Sequence, residues 1–310
     1  MFSNLGFAAH TYYPGIKVKS LGNNQYYIES FKMVRCGSWT PSLTELITVR
    51  CNNSGMVSTR TLNNLAYVAP PGTGTPKGFE TNYPPVSVTN GTNTLLGEEI
   101  IVICDSVLNP TGTKSNCNNT SGPQSYVKFR YSAIVSIASC QPMRVGIVPD
   151  LFTPPGSNIS SSGTAYSEVE VYSGTTTYSS PDFNDEHKTV VIGCVGQQSS
   201  FSLGAYKSNS KLRYELSCPQ VDSTRCMTFG SGYSASSPIN GAVLDSITGL
   251  LTFTPATSGK KIVGYLVKEY DPCTGVLLAQ TSRIAMVDVA VCTNSIPYVK
   301  NEFNNLQGTA

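Results

Sequence analysis

Apolar and polar residues alternate along many short runs of this chain. The clearest run spans residues 126–138, where every second position from Val127 to Ile137 is apolar and most positions between them, such as Lys128 and Arg130, are polar. A period of two is typical of a half-buried β-strand. Similar runs recur between Gly, Pro, Asn and Ser residues, without helical periodicity between them. The pattern therefore predicts an all-β protein built of stacked sheets.

The chain length and two breaks in the pattern predict the domain organisation. A chain of 310 residues favours two domains over one. Residues 149–165 are rich in Pro, Ser and Gly and have the composition of a linker or of one long excursion, and a further strand-like run follows them. We therefore predict two tandem Ig-like β-sandwich domains, 1–180 with long surface loops and 181–293, followed by a tail or linker at 294–310.

The stretch "LDSITGLLTFTPATSGKKIVGYLVKEYD" (244–271) combines turn residues with two strand-like runs. Asp245 can accept hydrogen bonds from the backbone that follows it, and Gly249 can adopt a positive φ, which together would close a turn. Pro255 would end the next strand and Gly259 would turn the chain into another. This stretch is expected to form strands and turns of the sheets and not to act on a substrate.

Charge and hydropathy exclude two classes of partner. The net charge is only +2 and no run of Lys or Arg exceeds Lys260-Lys261, so we expect no nucleic-acid binding. No stretch of eighteen apolar residues occurs, so we expect no membrane insertion. Residues 1–10 lack the basic start and apolar centre of a secretion signal, and we expect a mature or excised chain.

Ten cysteines occur without any C-x-x-C pair, which argues against zinc ribbons and thioredoxin-type chemistry. An even number in a charge-poor chain favours disulfides and an extracellular or cell-surface location. Buried free thiols are the alternative. Loop closure favours Cys104 with Cys117 and Cys218 with Cys226, and after these two pairs Cys36 with Cys51. Pairing of Cys194 with Cys218 would compete with the second of these.

The residues of common catalytic and metal sites are scarce. Only His10 and His187 are available, and the nucleophile-elbow, metalloprotease, P-loop and dinucleotide motifs are missing from the sequence. Two carboxylate pairs, Glu98 with Glu99 and Glu168 with Glu170, could in principle serve a glycosidase. Charges on strand surfaces explain them at least as well. We therefore expect no enzyme, no cofactor and no metal.

Aromatic residues are the better candidates for contact with a partner or a glycan, because a flat ring with a polar tip suits both. The alternative is that most of them belong to an ordinary sandwich core. The candidates are Tyr12, Tyr13, Tyr26, Tyr27 and Trp39.

The motif "LDSITGLLTFTP", the run "VGYLVKEY" and the last alternating strand before Cys292 resemble the putative-Ig, cadherin-like modules of large secreted Bacteroidota proteins. Residues 21–36 and 178–205 are similar to the preceding domain and the joining segment. The resemblance implies type IX secretion and a place in gliding-motility adhesins or filament-forming surface proteins, and it implies no reaction. Residues 205–212 lack the carboxylates of the calcium loop that related modules carry.

In such bacteria, a short Asp-Ser-apolar pattern carries O-glycans, and the resemblance makes Ser106, Ser223 and Ser246 candidates for O-glycosylation. The alternative is that the preceding aspartates form Asx turns at strand ends.

These observations predict a non-catalytic extracellular structural or adhesive module that assembles with other copies or with neighbouring domains of the same surface protein. Open sheet edges, or residues 294–310, could add a strand to a neighbouring chain. The alternative function is a carbohydrate-binding accessory module of a secreted hydrolase.

Overall fold

The computed structural model describes residues 11–35, 42–51, 56–64, 85–90, 93–100, 126–137, 140, 142–147, 157–160, 164–172, 178–183 and 190–292. Every regular element within these ranges is a β-strand, which confirms the predicted all-β class. The division into two tandem Ig-like domains stays a prediction. Below, the N-terminal part means residues up to 180 and the C-terminal part those from 181.

Eighteen strands are described. The N-terminal part contains β1 (Thr11–Gly22), β2 (Gln25–Arg35), β3 (Thr44–Cys51), β4 (Met56–Asn64), β5 (Pro85–Asn90), β6 (Asn93–Ile100), β7 (Tyr126–Ser136), β8 (Met143–Ile147) and β9 (Glu168–Val171). The C-terminal part contains β10 (Asp182–Phe183), β11 (Val190–Cys194), β12 (Ser199–Ser202), β13 (Ala205–Tyr206), β14 (Lys211–Ser217), β15 (Val243–Leu244), β16 (Leu250–Phe253), β17 (Gly259–Tyr270) and β18 (Leu277–Ala290).

Thirteen of these strands form one sheet, in the order β1-β2-β7-β4-β3-β8-β9-β18-β17-β14, with β6 and β5 attached at β7 and β11 beside β18. Strand β18 is the connection between the two parts. One of its edges pairs with β17, and the other pairs with β9 antiparallel and, farther along, with β11 parallel. Backbone hydrogen bonds therefore run from the N-terminal part into the C-terminal part without a break in the sheet.

Two main hydrophobic cores lie on this framework. The N-terminal core is enclosed because the sheet folds back, so that β1 contacts β8 and β9; it includes Ile28, Val49 and Tyr131. The C-terminal core lies between the large sheet and a three-stranded sheet of order β12-β16-β15, where Leu251 and Phe253 are fully buried. The C-terminal part is thus layered like a sandwich.

The alternation predicted for β7 is confirmed on its apolar side, where residues from Val127 to Ile137 contribute to the N-terminal core. Its polar side is partly covered, and Lys128 is only 1% exposed. The Lys128 Nζ atom lies 4.6 Å from the Phe31 ring centre, and Arg283 lies 5.3 Å from Phe31 and 4.0 Å from Phe183. Desolvated cation–π contacts of this kind contribute about 2 kcal/mol each. This stack joins β2 and β7 to the C-terminal part.

A second buried contact ties the two parts together at Glu269 of β17. Its carboxylate accepts hydrogen bonds from Lys207 Nζ and from Ser210 Oγ, at 2.5 and 2.7 Å. Lys207 Nζ also contacts the carbonyl of Ser179 and lies 4.3 Å from the ring centre of Tyr178. Because Tyr178 belongs to the N-terminal core, this ion pair holds β17 to the end of the N-terminal part.

The turn predicted at Asp245 is confirmed. The Asp245 Oδ1 atom accepts the backbone N–H groups of Ile247 and Thr248, and Gly249 has a φ of 71°. The same D-x-x-T-G turn recurs at Asp271, where the carboxylate accepts the N–H groups of the second and third residues after it and the glycine again has a positive φ. One local motif therefore closes both the β15–β16 and the β17–β18 hairpins.

The Pro/Ser/Gly-rich segment 149–165 crosses onto the C-terminal part where it is described. Asn158 is fully buried; its Nδ2 donates to the carbonyls of Pro238 and Ile262, and its Oδ1 accepts the Ile262 N–H. Strand β14 ends opposite Gly264, so the Asn158 amide continues the pairing of β17 where β14 has stopped. We call residues 157–160 and 164–166 the strap, because they form hydrogen bonds with β17 and with residues 219–230.

Candidate functional surface

The strand register creates one continuous outward face across both parts. Directly opposed residues in a ladder share a face of the sheet, and two rows can be followed over β4, β3, β8, β9, β18, β17 and β14. The first row is Val57, Arg50, Arg144, Glu170, Gln280, Lys268, Arg213, and the second is Thr59, Thr48, Gly146, Glu168, Ser282, Leu266, Glu215. We call this surface the seven-strand face.

The centre of the seven-strand face is a closed network of polar side chains. Arg144 binds Glu170 through two nitrogens, with Nε and Nη2 at 2.8 and 2.7 Å from Oε1. The other oxygen of Glu170 accepts hydrogen bonds from Tyr172 and Gln280, each at 2.8 Å. Glu168 accepts the Tyr166 hydroxyl at 2.5 Å. Both carboxylates are thus engaged with side chains of the chain itself.

Burial decides the electrostatics of this centre. Glu168 and Glu170 are 7% and 4% exposed, so their interpretation as charges on a strand surface is wrong. Desolvation raises the pKa of Glu168, against the opposing influence of Tyr166 and Arg144. Tyr166 packs so closely on β8 that a Cβ at Gly146 would lie 1.9 Å from its hydroxyl, which explains the glycine.

The two flanks of the face are open and differ in chemistry. On β3 and β4 the outward residues are mostly uncharged, and the apolar side chains of Leu46 and Val57 are 45% and 62% exposed. On β14 the outward residues Arg213 and Glu215 are charged and exposed, and Glu215 pairs with Lys268 of β17.

One end of the face is covered by the strap. Ile262 and Ile284 continue the face along β17 and β18, and they pack against Ile159, Ala165 and Met227 in a third, small apolar cluster. The exposed side chains of the face therefore lie on its two flanks, because Glu168, Glu170 and Ser282 in the central rows are buried.

Two of the cysteine pairings considered from the sequence do not occur. Cys51 is bonded to Cys140, so the pairing of Cys36 with Cys51 is wrong. The reason lies in the topology: Cys51 ends β3 opposite Met143 of β8, which brings the Cα of Cys140 to 5.3 Å. Local loop closure cannot reveal this neighbour.

The other cysteines form two further bridges, one free thiol and a set outside the described residues. Cys218 is bonded to Cys226 across a short loop, one of the closures that the spacing favours. Cys194 is bonded to Cys292 and not to Cys218. Cys273 has a free, exposed thiol. Cys36, Cys104 and Cys117 lie outside the described residues.

The aromatic candidates are not brought together where their side chains are described. Tyr26 is half-buried and packs against the N-terminal core. Tyr27 points to the opposite face of β2, as the next residue of a strand must, and donates a hydrogen bond to Glu29. Trp39 and the side chains of Tyr12 and Tyr13 lie outside the description.

Two of the candidate glycosylation serines lie in described turns. Ser223 is half-buried and Ser246 is exposed, and the aspartate before each of them accepts backbone N–H groups as in an Asx turn. The turn geometry explains the aspartates and leaves glycosylation as a prediction. Ser106 lies outside the described residues.

Sequence reasoning missed the residues that organise this surface. The sequence pattern does not indicate the roles of Arg144 and Asn158, because their hydrogen-bond partners lie far from them in the sequence. Within the part of the chain that the structure describes, no group of three His, Cys, Asp or Glu residues is arranged to hold a metal ion. The described residues also include no helix that is long and apolar enough to cross a membrane.

Comparison of the chain with protein-family models, with curated proteins and with solved structures finds no match.

Proposed function

We propose that the chain is a non-catalytic, extracellular structural and adhesive module, which attaches to surfaces and assembles with other copies or neighbouring domains of a surface protein. The observation that supports this proposal is the seven-strand face. Strands lie about 4.8 Å apart, so seven of them span about 29 Å. A face of this width suits a macromolecule or an extended surface better than a small substrate, because a standard protein interface needs about 800 Å² per partner.

The flank on β3 and β4, where Arg50 is the charged residue among uncharged ones, is the part of the face best suited to adhesion. Exposed apolar groups that lie together often mark an interaction site. Here Thr59 and Thr61 lie on β4 between the exposed side chains of Val57 and Leu46, and their methyl groups join the apolar surface while their hydroxyl groups can form hydrogen bonds. Desolvating such residues costs less than desolvating charges.

Disulfides support the extracellular setting. Three bridges occur among the described residues, and bonds of this kind persist in oxidising compartments. The resemblance of residues 244–271 to modules of secreted Bacteroidota proteins supports the finer proposal of a cell-surface or filament protein exported by the type IX system.

The proposal is tested by attachment and by assembly. Beads coated with the oxidised protein are expected to stay on glass and on bacterial cells under flow, and electron microscopy of the free protein reports any polymer. The variant Val57→Lys/Thr59→Lys/Thr61→Lys is expected to release most of the beads, because it places three charges on the mostly uncharged flank.

The matched control is Ser200→Lys/Ser202→Lys, which adds charges to exposed positions of the separate three-stranded sheet and is expected to leave attachment intact. Absence of both attachment and polymers would contradict the proposal. Selective binding on a glycan array, with no attachment to bare glass, would favour a carbohydrate-binding accessory module instead.

A further inference from the structure

Two of the disulfides enclose most of the chain between them. Cys51–Cys140 joins residues 89 positions apart, and Cys194–Cys292 joins residues 98 positions apart. Each bridge closes the end of a strand pair, β3 with β8 in the first case and β11 with β18 in the second. The third bridge, Cys218–Cys226, lies inside the second loop.

These bridges shorten the covalent path along which tension would travel. A chain pulled from both ends transmits force through its shortest covalent connection. Through the bridges that the structure describes, that connection enters the first bridge at Cys51, leaves it at Cys140, enters the second at Cys194 and leaves it at Cys292. Residues 52–139 and 195–291 are bypassed, so strands β4 to β7 and β12 to β18 are not pulled end to end.

The segment left on the path between the bridges, residues 140–194, is tied to both parts of the molecule. Its strands β8 and β9 lie in the large sheet between β3 and β18. Asn158 of the strap is bonded to β17, and Ser180 exchanges hydrogen bonds with Val18 of β1. Force on this segment is therefore opposed by several strands at once.

We propose that this protein is a tension-bearing link whose extension is limited by Cys51–Cys140 and Cys194–Cys292. This inference deepens the proposed structural and adhesive function and rests on it, since only an attached module is pulled in use. The bypassed loop 195–291 holds most of the C-terminal core, and the bypassed loop 52–139 contributes β7 to the N-terminal core. The two bridges keep both loops from being extended when the strands on the path are pulled out.

Single-molecule pulling of the 310-residue chain between handles at its two ends tests the inference. After complete unfolding, the reduced chain is expected to be longer than the oxidised chain by about 187 residues, the sum of the two loops. At ~3.3 to 3.6 Å per residue, this is a difference of about 62 to 67 nm. The measurement needs no variant and does not depend on the stability of the reduced fold.

Paired variants assign the difference to each bridge. Cys51→Ser/Cys140→Ser is expected to lengthen the oxidised chain by about 29 to 32 nm, from ~3.3 to 3.6 Å per residue. Cys194→Ser/Cys292→Ser is expected to lengthen the oxidised chain by about 30 to 32 nm, because the Cys218–Cys226 bridge still keeps its short loop from being extended. The matched control Cys218→Ser/Cys226→Ser removes a bridge that already lies within a bypassed loop and is expected to add nothing.

An oxidised chain that extends as far as the reduced one, or a control variant that extends as far as the other two, would overturn the inference. The pulling result is independent of the bead assay. If the lengths are as expected and the beads do not attach, the covalent path is correct and the adhesive function fails. If the beads attach and the lengths do not change, only the tension-bearing link fails.

Discussion

Replacement of Asn158 by Ala tests the attachment of the strap to the C-terminal part. The change removes three buried hydrogen bonds of 2.7 to 2.9 Å, two of them donated to the carbonyls of Pro238 and Ile262 and one accepted from the Ile262 N–H. The two Ile262 groups lie where β14 has ended, so no neighbouring strand replaces Asn158 there. A buried polar group left unsatisfied costs about 1 to 3 kcal/mol.

Three such groups predict a loss of about 3 to 5 kcal/mol in the free energy of unfolding, which belongs to the upper end for single substitutions. Urea unfolding of the oxidised protein, followed by far-UV circular dichroism, measures this loss. Hydrogen exchange at the Ile262 amide reports the local effect. The neighbouring Ser157→Ala removes one exposed hydrogen bond, from the Ser157 hydroxyl to the Lys260 carbonyl, and is expected to change stability by less than about 1 kcal/mol. A similarly small loss for Asn158→Ala, with Ile262 still protected, would refute the reasoning.

Three further predictions follow from the seven-strand face and the hairpin turns. Gly146→Ala is expected to destabilise the fold by about 1 to 3 kcal/mol, because the added methyl group would overlap Tyr166. In the control Gly230→Ala the added methyl group would lie at ordinary contact distances from Asn158, so thermal unfolding is expected to change little. The pKa of Glu168 is raised in the folded state, so its contribution to the free energy of unfolding is fully present below its unfolded pKa and is lost as the pH rises through its folded pKa. The variant Glu168→Gln is expected to remove this pH-dependent loss of stability when unfolding is measured across that pH range. A pH profile of stability that is the same in the variant and the original protein would count against this prediction. The pKa of Asp245 is lowered by hydrogen bonds from the backbone N–H groups of its turn, and carboxyl NMR titration is expected to find it below the ordinary value for Asp.

Local features of the fold could be predicted from the sequence because their causes are local. The alternation in β7 and the turn at Asp245 depend on residues within a few positions of each other, and both are found as expected. The recurrence of D-x-x-T-G at Asp271 could have been found by the same reasoning.

Pairing between strands and cysteines that are far apart in the sequence could not be predicted, because no local pattern determines the order of strands in a sheet. Cys51 meets Cys140 only because β3 lies beside β8. Glu168 and Glu170 have the alternation of an exposed strand edge, yet they are buried, because the register sets Arg144 beside Glu170 and the strap carries Tyr166 over the neighbouring strand. The Ser-rich composition around Asn158 predicts a loop and gives no sign of the bonds that fasten it.

The most direct test of this account is peptide mapping of the oxidised protein by mass spectrometry without reduction. The continuous sheet with β3 beside β8 predicts a peptide pair linked through Cys51 and Cys140, together with a second pair linked through Cys194 and Cys292. A linkage of Cys51 to Cys36, or free thiols at these four positions in the native protein, would contradict it.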